Sequence, residues 1–171
     1  MIDWLSFEQI LGYIASIILI SGYAIKSDVK TKTVLIFSSV VFAYHFYLLG
    51  ALTAMAICLV NALRNVSSIF FHKSIPVFIV FAALYMAGGY LTYNSWVDVL
   101  PAMAAFLTCI GMFLLSRLKF RILVVIATLL WVIHNIFVGS IGGTINSIIL
   151  FFITVVTVIR LLRDSKHDQG S

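Results

Sequence analysis

The chain is 171 residues long, 63% hydrophobic and only 10% charged, with a mean hydropathy of +1.15. A soluble domain of this size turns much of its surface to water and cannot hide so much apolar side chain, so a water-soluble globule is excluded. The net charge of +5 does not mark a nucleic-acid binder, because the bases gather between apolar runs: Lys26/Lys30/Lys32, Lys73, Arg117/Lys119/Arg121 and Arg160/Arg163/Lys166.

The first predicted element follows an acidic start, Met1–Gln9, which lacks a basic leader and a small-residue cleavage site and is expected not to be a removable signal peptide. Seven spans then fit, at about 9–25, 33–49, 51–71, 75–93, 97–115, 121–138 and 141–162. Each is close to the roughly 20 residues that cross a bilayer core of about 30 Å. The loop after span one is basic, the turn at Gly50 is uncharged, and span three ends at His72–Lys73. Span four ends at 92–98, where Tyr93 and Trp96 suit an interfacial layer. Span five leads to a basic loop, span six to the turn at 139–143, and span seven ends among Arg160, Arg163 and Lys166. Basic loops stay cytoplasmic, so the predicted topology is N-terminus out and C-terminus in. Cys58 and Cys109 lie inside spans with neither metal-ligand spacing nor a redox motif.

An offset of 89 superposes His45 on His134, Gly50 on Gly139, Phe42 on Trp131, Gly22 on Gly111, Lys30 on Lys119 and Ser39 on Thr128. An ungapped match of this kind indicates an internal duplication. The expected architecture is an all-α membrane protein of seven transmembrane helices. Residues 1–73 form the first three-helix repeat, 74–96 a connecting span, 97–163 the second repeat and 164–171 a cytoplasmic tail. Span four reverses direction, so the repeats are parallel about the membrane normal, the 3+1+3 plan of SWEETs.

Trp131–Val132–Ile133–His134–Asn135 with Gly139–Ser140–Ile141–Gly142–Gly143–Thr144 resembles the signature of the YgjV-type bacterial inner membrane proteins. His45–Phe46, Leu48–Leu49–Gly50, Asn61–Ala62 and Arg64 resemble the first-half signature of the same family. The resemblance implies a multi-pass protein of the bacterial inner (plasma) membrane. Its architecture is similar to the SWEET, PQ-loop and nicotinamide-riboside-carrier group, which implies transport of small solutes. The chain departs from that group in reading Tyr23–Ala24–Ile25–Lys26 where a Pro–Gln pair would stand, and only Pro101 is similar to its helix-hinging prolines.

Several polar residues inside spans invite function. Asn61, Asn65, Ser68 and His72 fall on one helical face of span three, and Asn146, Thr154 and Thr157 form a comparable stripe on span seven, with Arg160 near its inner end. Such side chains are costly against lipid and are expected either to line a shared central pathway or to make interhelical hydrogen bonds. Arg64 lies about 20 Å into its span by helix rise, with no acidic residue deep in any span to pair with it. It is expected to contact solute or a gate, or to snorkel toward a lipid phosphate. His45 and His134, at equivalent positions, are candidates for a gate or a pH sensor, or for bonds tying each helix to its neighbour. Trp131 is a candidate for stacking on a ring-bearing solute, with Phe42 as its counterpart, or for packing.

No P-loop, nucleophile elbow, zinc pair, carboxylate dyad or retinal-type lysine is present, so no enzyme, metal or cofactor is expected. The functional expectation is a SWEET-like facilitator or transporter of a small polar solute, alternating access around a mid-membrane site between the repeats. The alternative is a non-transporting sensor, assembly or lipid-binding protein on the same fold. The expected partners are membrane lipids and that solute, with no nucleic acid, in a monomer or homodimer. A carrier needs a solvated cavity touching Asn61 and Asn146, whereas a scaffold needs a dry axis.

Overall fold

The computed structural model describes residues 4–23, 25, 27–71, 74–115 and 117–167. Its elements are α1 (Phe7–Tyr23), α2 (Asp28–Leu48), α3 (Leu52–Phe70), α4 (Ile75–Leu91), a 3-10 turn (Trp96–Asp98), α5 (Val99–Leu114), α6 (Arg117–Phe137) and α7 (Ile141–His167). Five segments are long and apolar enough to cross a membrane: Val29–Leu48, Leu52–Phe70, Trp96–Leu114, Leu118–Phe137 and Ile141–Arg163. The apolar helices Phe7–Gly22 and Ile75–Leu91 are shorter. At 17 residues, α1 and α4 reach about 26 Å. Lipid accommodates such a shortfall by thinning, at a cost of fractions of a kcal/mol per Å.

Helix ends differ from the hydropathy boundaries for a physical reason. α2 starts at Asp28 rather than 33, α6 at Arg117 rather than 121, and α7 runs to His167 rather than 162. Hydropathy stops where charges begin, but a backbone at the edge of lipid keeps its internal hydrogen bonds, so polar turns prolong the helix. Span five divides. Asp98 Oδ2 accepts from the Ser95 and Asn94 N–H groups at 2.8 and 3.1 Å, closing a 3-10 turn before α5 begins. Pro101 sits in the first turn of α5, where its missing N–H costs nothing.

The helices close into a ring. α1 packs on α2, α2 on α3, α3 on α4 and α5, α4 on α5, α5 on α6, α6 on α7, and α7 back on α1. α4 lies outside the seam between α3 and α5 and buries only Phe81 and Tyr85. The surface is apolar, with Ile17, Phe37, Phe70, Tyr90 and Phe152 exposed, while Ser38, Thr53, Asn65, Ser147 and Thr154 are buried. Such a distribution suits lipid outside and hydrogen-bonded helices inside.

The two turns at one end share a backbone frame. Gly50 and Gly139 adopt φ of 74° and 72°, left-handed geometry that a Cβ disfavours. Around the first, Ala51 N–H bonds Phe46 O (2.9 Å) and Gly50 N–H bonds Tyr47 O (3.0 Å). Around the second, Ser140 N–H bonds Asn135 O (2.9 Å) and Gly139 N–H bonds Ile136 O (3.2 Å). This is a Schellman termination, repeated at the 89-residue offset. We call this the turn end and the opposite one, carrying Lys30, Lys32, Lys119 and Arg121, the basic end.

Candidate functional site

The histidines repeat the frame in their side chains. His45 Nδ1 lies 2.6 Å from Glu8 O, and His134 Nδ1 lies 3.1 Å from Val97 O, the position 89 residues on. A carbonyl only accepts, so in both rings Nδ1 carries the hydrogen and, in the neutral ring, Nε2 is an acceptor. Beyond that point the rings differ. His45 Nε2 receives the Ser140 hydroxyl at 2.7 Å, and Ser140 Oγ also accepts the Gly143 N–H at 3.2 Å, capping α7. His134 Nε2 is buried with no partner among the described residues. The counterpart of Ser140 is Ala51, which has no hydroxyl.

The rest of the second turn is an interhelical clamp. Gln9 brackets it, donating to Gly139 O (2.7 Å) and accepting from Ile141 N–H (3.0 Å), while Ser16 Oγ reaches Gly142 O (2.9 Å). Asn135 Nδ2 donates to Ser147 Oγ at 3.1 Å. A Cβ on Gly142 would stand 2.5 Å from the Gly12 backbone, and one on Gly12 would stand 2.8 Å from the His45 ring. The glycines are therefore where α1 touches α7 and α2. Gln9, Gly12 and Ser16 were not singled out from the sequence, although their i, i+3, i+7 spacing places them on one helical face.

Between the halves lies a stack of rings. Phe46 is stacked between Phe42 (centroids 5.9 Å) and Trp131 (5.8 Å), and His134 meets Trp131 edge-on at 5.7 Å. One turn above Phe46, at the turn end, a cavity of about 400 Å³ opens, lined by Gly50, Ala51, Thr92, Ser95, Asp98 and Val138 among others. Thr53 Oγ1 and Thr92 Oγ1 pair at 2.7 Å beside it. A smaller cavity of about 190 Å³ borders Asn135, Ser140 and Thr144. Neither reaches Asn61 or Asn146.

The two polar stripes are set apart. α3 packs on α2, α4 and α5, whereas α7 packs on α1 and α6. On α3, Asn61 Oδ1 accepts from the fully buried Tyr85 hydroxyl at 2.7 Å. Arg64 Nη1 donates to Thr108 Oγ1 at 3.3 Å, and its Nε is buried with no partner among the described residues. Asn65 is buried, and its carbonyl accepts from Ser68 Oγ; Lys32 Nζ reaches Ser68 O at 2.8 Å. On α7, Asn146 is buried with Oδ1 unpartnered among the described residues, Thr154 is buried, Thr157 bonds its own helix at Ile153 O, and Arg160 is exposed. His72 lies outside the described residues. Tyr85 and Thr108 were missed from sequence, since a lone tyrosine or threonine in an apolar run has no signature of its own. Cys58 and Cys109 are buried free thiols. Among the described residues no three His, Cys, Asp or Glu side chains gather as a metal-ligand set.

A family model described as "Bacterial inner membrane protein" matches residues 6–165. The chain is 30% identical to the inner membrane protein YgjV of Escherichia coli (strain K12) over 164 residues, which is 96% of this chain and 88% of that protein. No solved structure matches.

Proposed function

Because the chain belongs to the YgjV family of bacterial inner membrane proteins and is itself a multi-pass protein of that membrane, we propose that it is a SWEET-like carrier of a small polar solute. In this reading all seven helices cross, with the turn end outside and the basic end in the cytoplasm. Residues 1–73 and 97–163 are parallel repeats joined by the α4 span. The Schellman bonds and the Nδ1–carbonyl bonds that recur at the 89-residue offset support that plan.

The observation that carries the transport reading is the turn-end cavity of about 400 Å³, which stands in place of the expected cavity at Asn61 and Asn146. It sits where both halves converge and offers Thr92, Ser95 and Asp98 to a solute, while the Phe42–Phe46–Trp131 stack lies deeper, outside its lining. The stack then acts as the closed gate of this conformation. The α1–α7 seam, fastened by Gln9 and Ser16 and flanked by the bond from His45 of α2 to Ser140, is the natural pivot, and the α3–α5 seam is the one that opens. Ser140 and His45 approach as a nucleophile and base would, but the hydroxyl is 1% exposed and caps α7. We read the pair as a tie and the protein as no enzyme.

The test is uptake. Proteoliposomes holding the purified protein are incubated with a mixture of sugars, nucleosides, vitamins and amino acids, and their washed contents are read by mass spectrometry. At least one solute is expected inside above the level in protein-free vesicles. If none rises, the carrier reading fails. A second reading, a non-transporting sensor, assembly or lipid-binding protein, is favoured by the ring stack packed between the halves; it requires that null result.

A further inference from the structure

We propose that Arg64, with Asn61 beside it, is the binding site for an anionic group, a carboxylate or phosphate, at the seam between α3 and α5. The inference goes beyond the carrier reading above, because this site is separate from the turn-end cavity that Asp98 lines, and it rests on that reading only for its role in transport.

Arg64 stands twelve residues past the start of α3 and six before its end. By helix rise it is about 9 Å from the basic end, inside the bundle. An arginine side chain stays cationic in proteins and offers five N–H donors in a planar fork. Here Nη1 reaches the Thr108 hydroxyl at a long 3.3 Å, while Nε is buried with no partner among the described residues. The acidic residues of the chain are Asp3, Glu8, Asp28, Asp98, Asp164 and Asp168, so none lies between 29 and 97 or between 99 and 163. Asp98, across the seam, starts ten residues before Thr108 on the same helical path, about 15 Å toward the turn end. Among the described residues no carboxylate stands at this depth.

The neighbouring groups are set for an acceptor ligand. Tyr85 gives its hydroxyl hydrogen to Asn61 Oδ1 (2.7 Å), and its oxygen also interacts as an acceptor with the Arg64 guanidinium. Thr108 gives its hydrogen to Ala105 O (2.9 Å). Those hydroxyls are committed, so they brace the guanidinium rather than neutralise it. Asn61, one turn before Arg64 and on the same side of α3, has its amide oxygen occupied, which orients its NH₂ as a further donor. Arg64, Asn61 and Thr108 are each only partly buried, although Nε of Arg64 is itself buried. An unpaired charge in a low-dielectric bundle is costly, and a carboxylate or phosphate supplies both the counter-charge and the paired acceptors that fit the fork. The shared chemistry has two sources, a soluble anion or the phosphate of an anionic lipid.

The experiment uses the full chain in phosphatidylcholine nanodiscs. In one arm, thermal unfolding is followed with sodium phosphate or sodium chloride at equal ionic strength. In the other, native mass spectrometry reads retention from an equal mixture of phosphatidylglycerol and phosphatidylcholine. The wild type is expected to gain on the order of 3 °C in Tm at ten times the phosphate Kd, because a ligand bound only to the folded state stabilises it, or to retain phosphatidylglycerol preferentially. Arg64→Gln loses the response and Arg64→Lys keeps part of it. Should Arg64→Gln not fold, Asn61→Asp serves instead, since it places an internal carboxylate one turn from the guanidinium and must abolish the response. A response in the phosphate arm assigns a soluble anion, and one in the lipid arm alone assigns a headgroup. No response in either arm, or the same response in Arg64→Gln or Asn61→Asp, overturns the site. Anion binding without uptake keeps the site and rejects the carrier; uptake with no Arg64-dependent binding does the reverse.

Discussion

At His45 the ring nitrogen Nε2 meets the Ser140 hydroxyl at 2.7 Å; at His134 the same nitrogen meets nothing among the described residues. The turns around them share their glycine geometry, their Schellman bonds and their Nδ1–carbonyl bonds. What differs is the side chain that each turn presents across to the other half. Ser140 corresponds to Ala51, Asn135 to Phe46, Gly142 to Thr53 and Ser16 to Ala105. One seam between the halves has become a polar clamp, while the other side has become an aromatic wall with a cavity above it. A repeated backbone can thus carry two chemistries, because turn geometry needs only the glycine and the local hydrogen bonds.

The largest expected effect tests the closeness of the clamp. Gly142→Val sets side chain against the Gly12 backbone and is expected to cost about 3 kcal/mol or more by overpacking. Gly50→Ala, with open space around its Cβ, is expected to cost only the left-handed strain, about 1 kcal/mol. Equal losses in thermal unfolding would show that the α1–α7 approach is not tight.

Next come the histidines themselves. His45→Leu strands both Glu8 O and the Ser140 hydroxyl, an expected loss of about 2–4 kcal/mol, whereas His134→Leu strands only Val97 O, about 1–2 kcal/mol. Denaturation of the two variants side by side checks the order; a larger loss at His134 breaks the comparison.

Ser140→Ala removes the α7 cap and the His45 partner together and is expected to cost about 1–2 kcal/mol. The smallest change has the opposite sign. Ala51→Ser copies the second turn into the first and offers His134 Nε2 a hydroxyl, an expected gain of about 1 kcal/mol. That gain should vanish in a His134→Phe background, which a double-mutant cycle reads directly.

Much of the fold is legible in the sequence. Apolar runs placed the helices to within a few residues, except that span five opens with a separate 3-10 turn, because Asp98 satisfies the N–H groups ahead of the helix. The polar stripe on α3 was visible from its period, and the solitary Arg64 from its charge. The partners of those residues were not visible. Asn61 and Asn146, similar in the sequence, lie on helices that are not among the closely packed pairs of the described residues. Asn61 instead meets Tyr85 of the peripheral α4.

By itself, then, the sequence determined properties that run along one dimension: which segments are helical, where the left-handed glycines turn the chain, and where the charges collect. Only the tertiary structure decided what faces what: His45 on Ser140, Arg64 on Thr108, Phe46 on Trp131, and, among the described residues, nothing on His134 Nε2. The physical reason is the solvent. In lipid a helix is apolar on nearly every side, so hydropathy fixes its length but carries little record of which face turns inward. The inward face is set by small residues that allow close approach and by hydrogen bonds between helices, and both kinds of contact exist only once the helices are assembled.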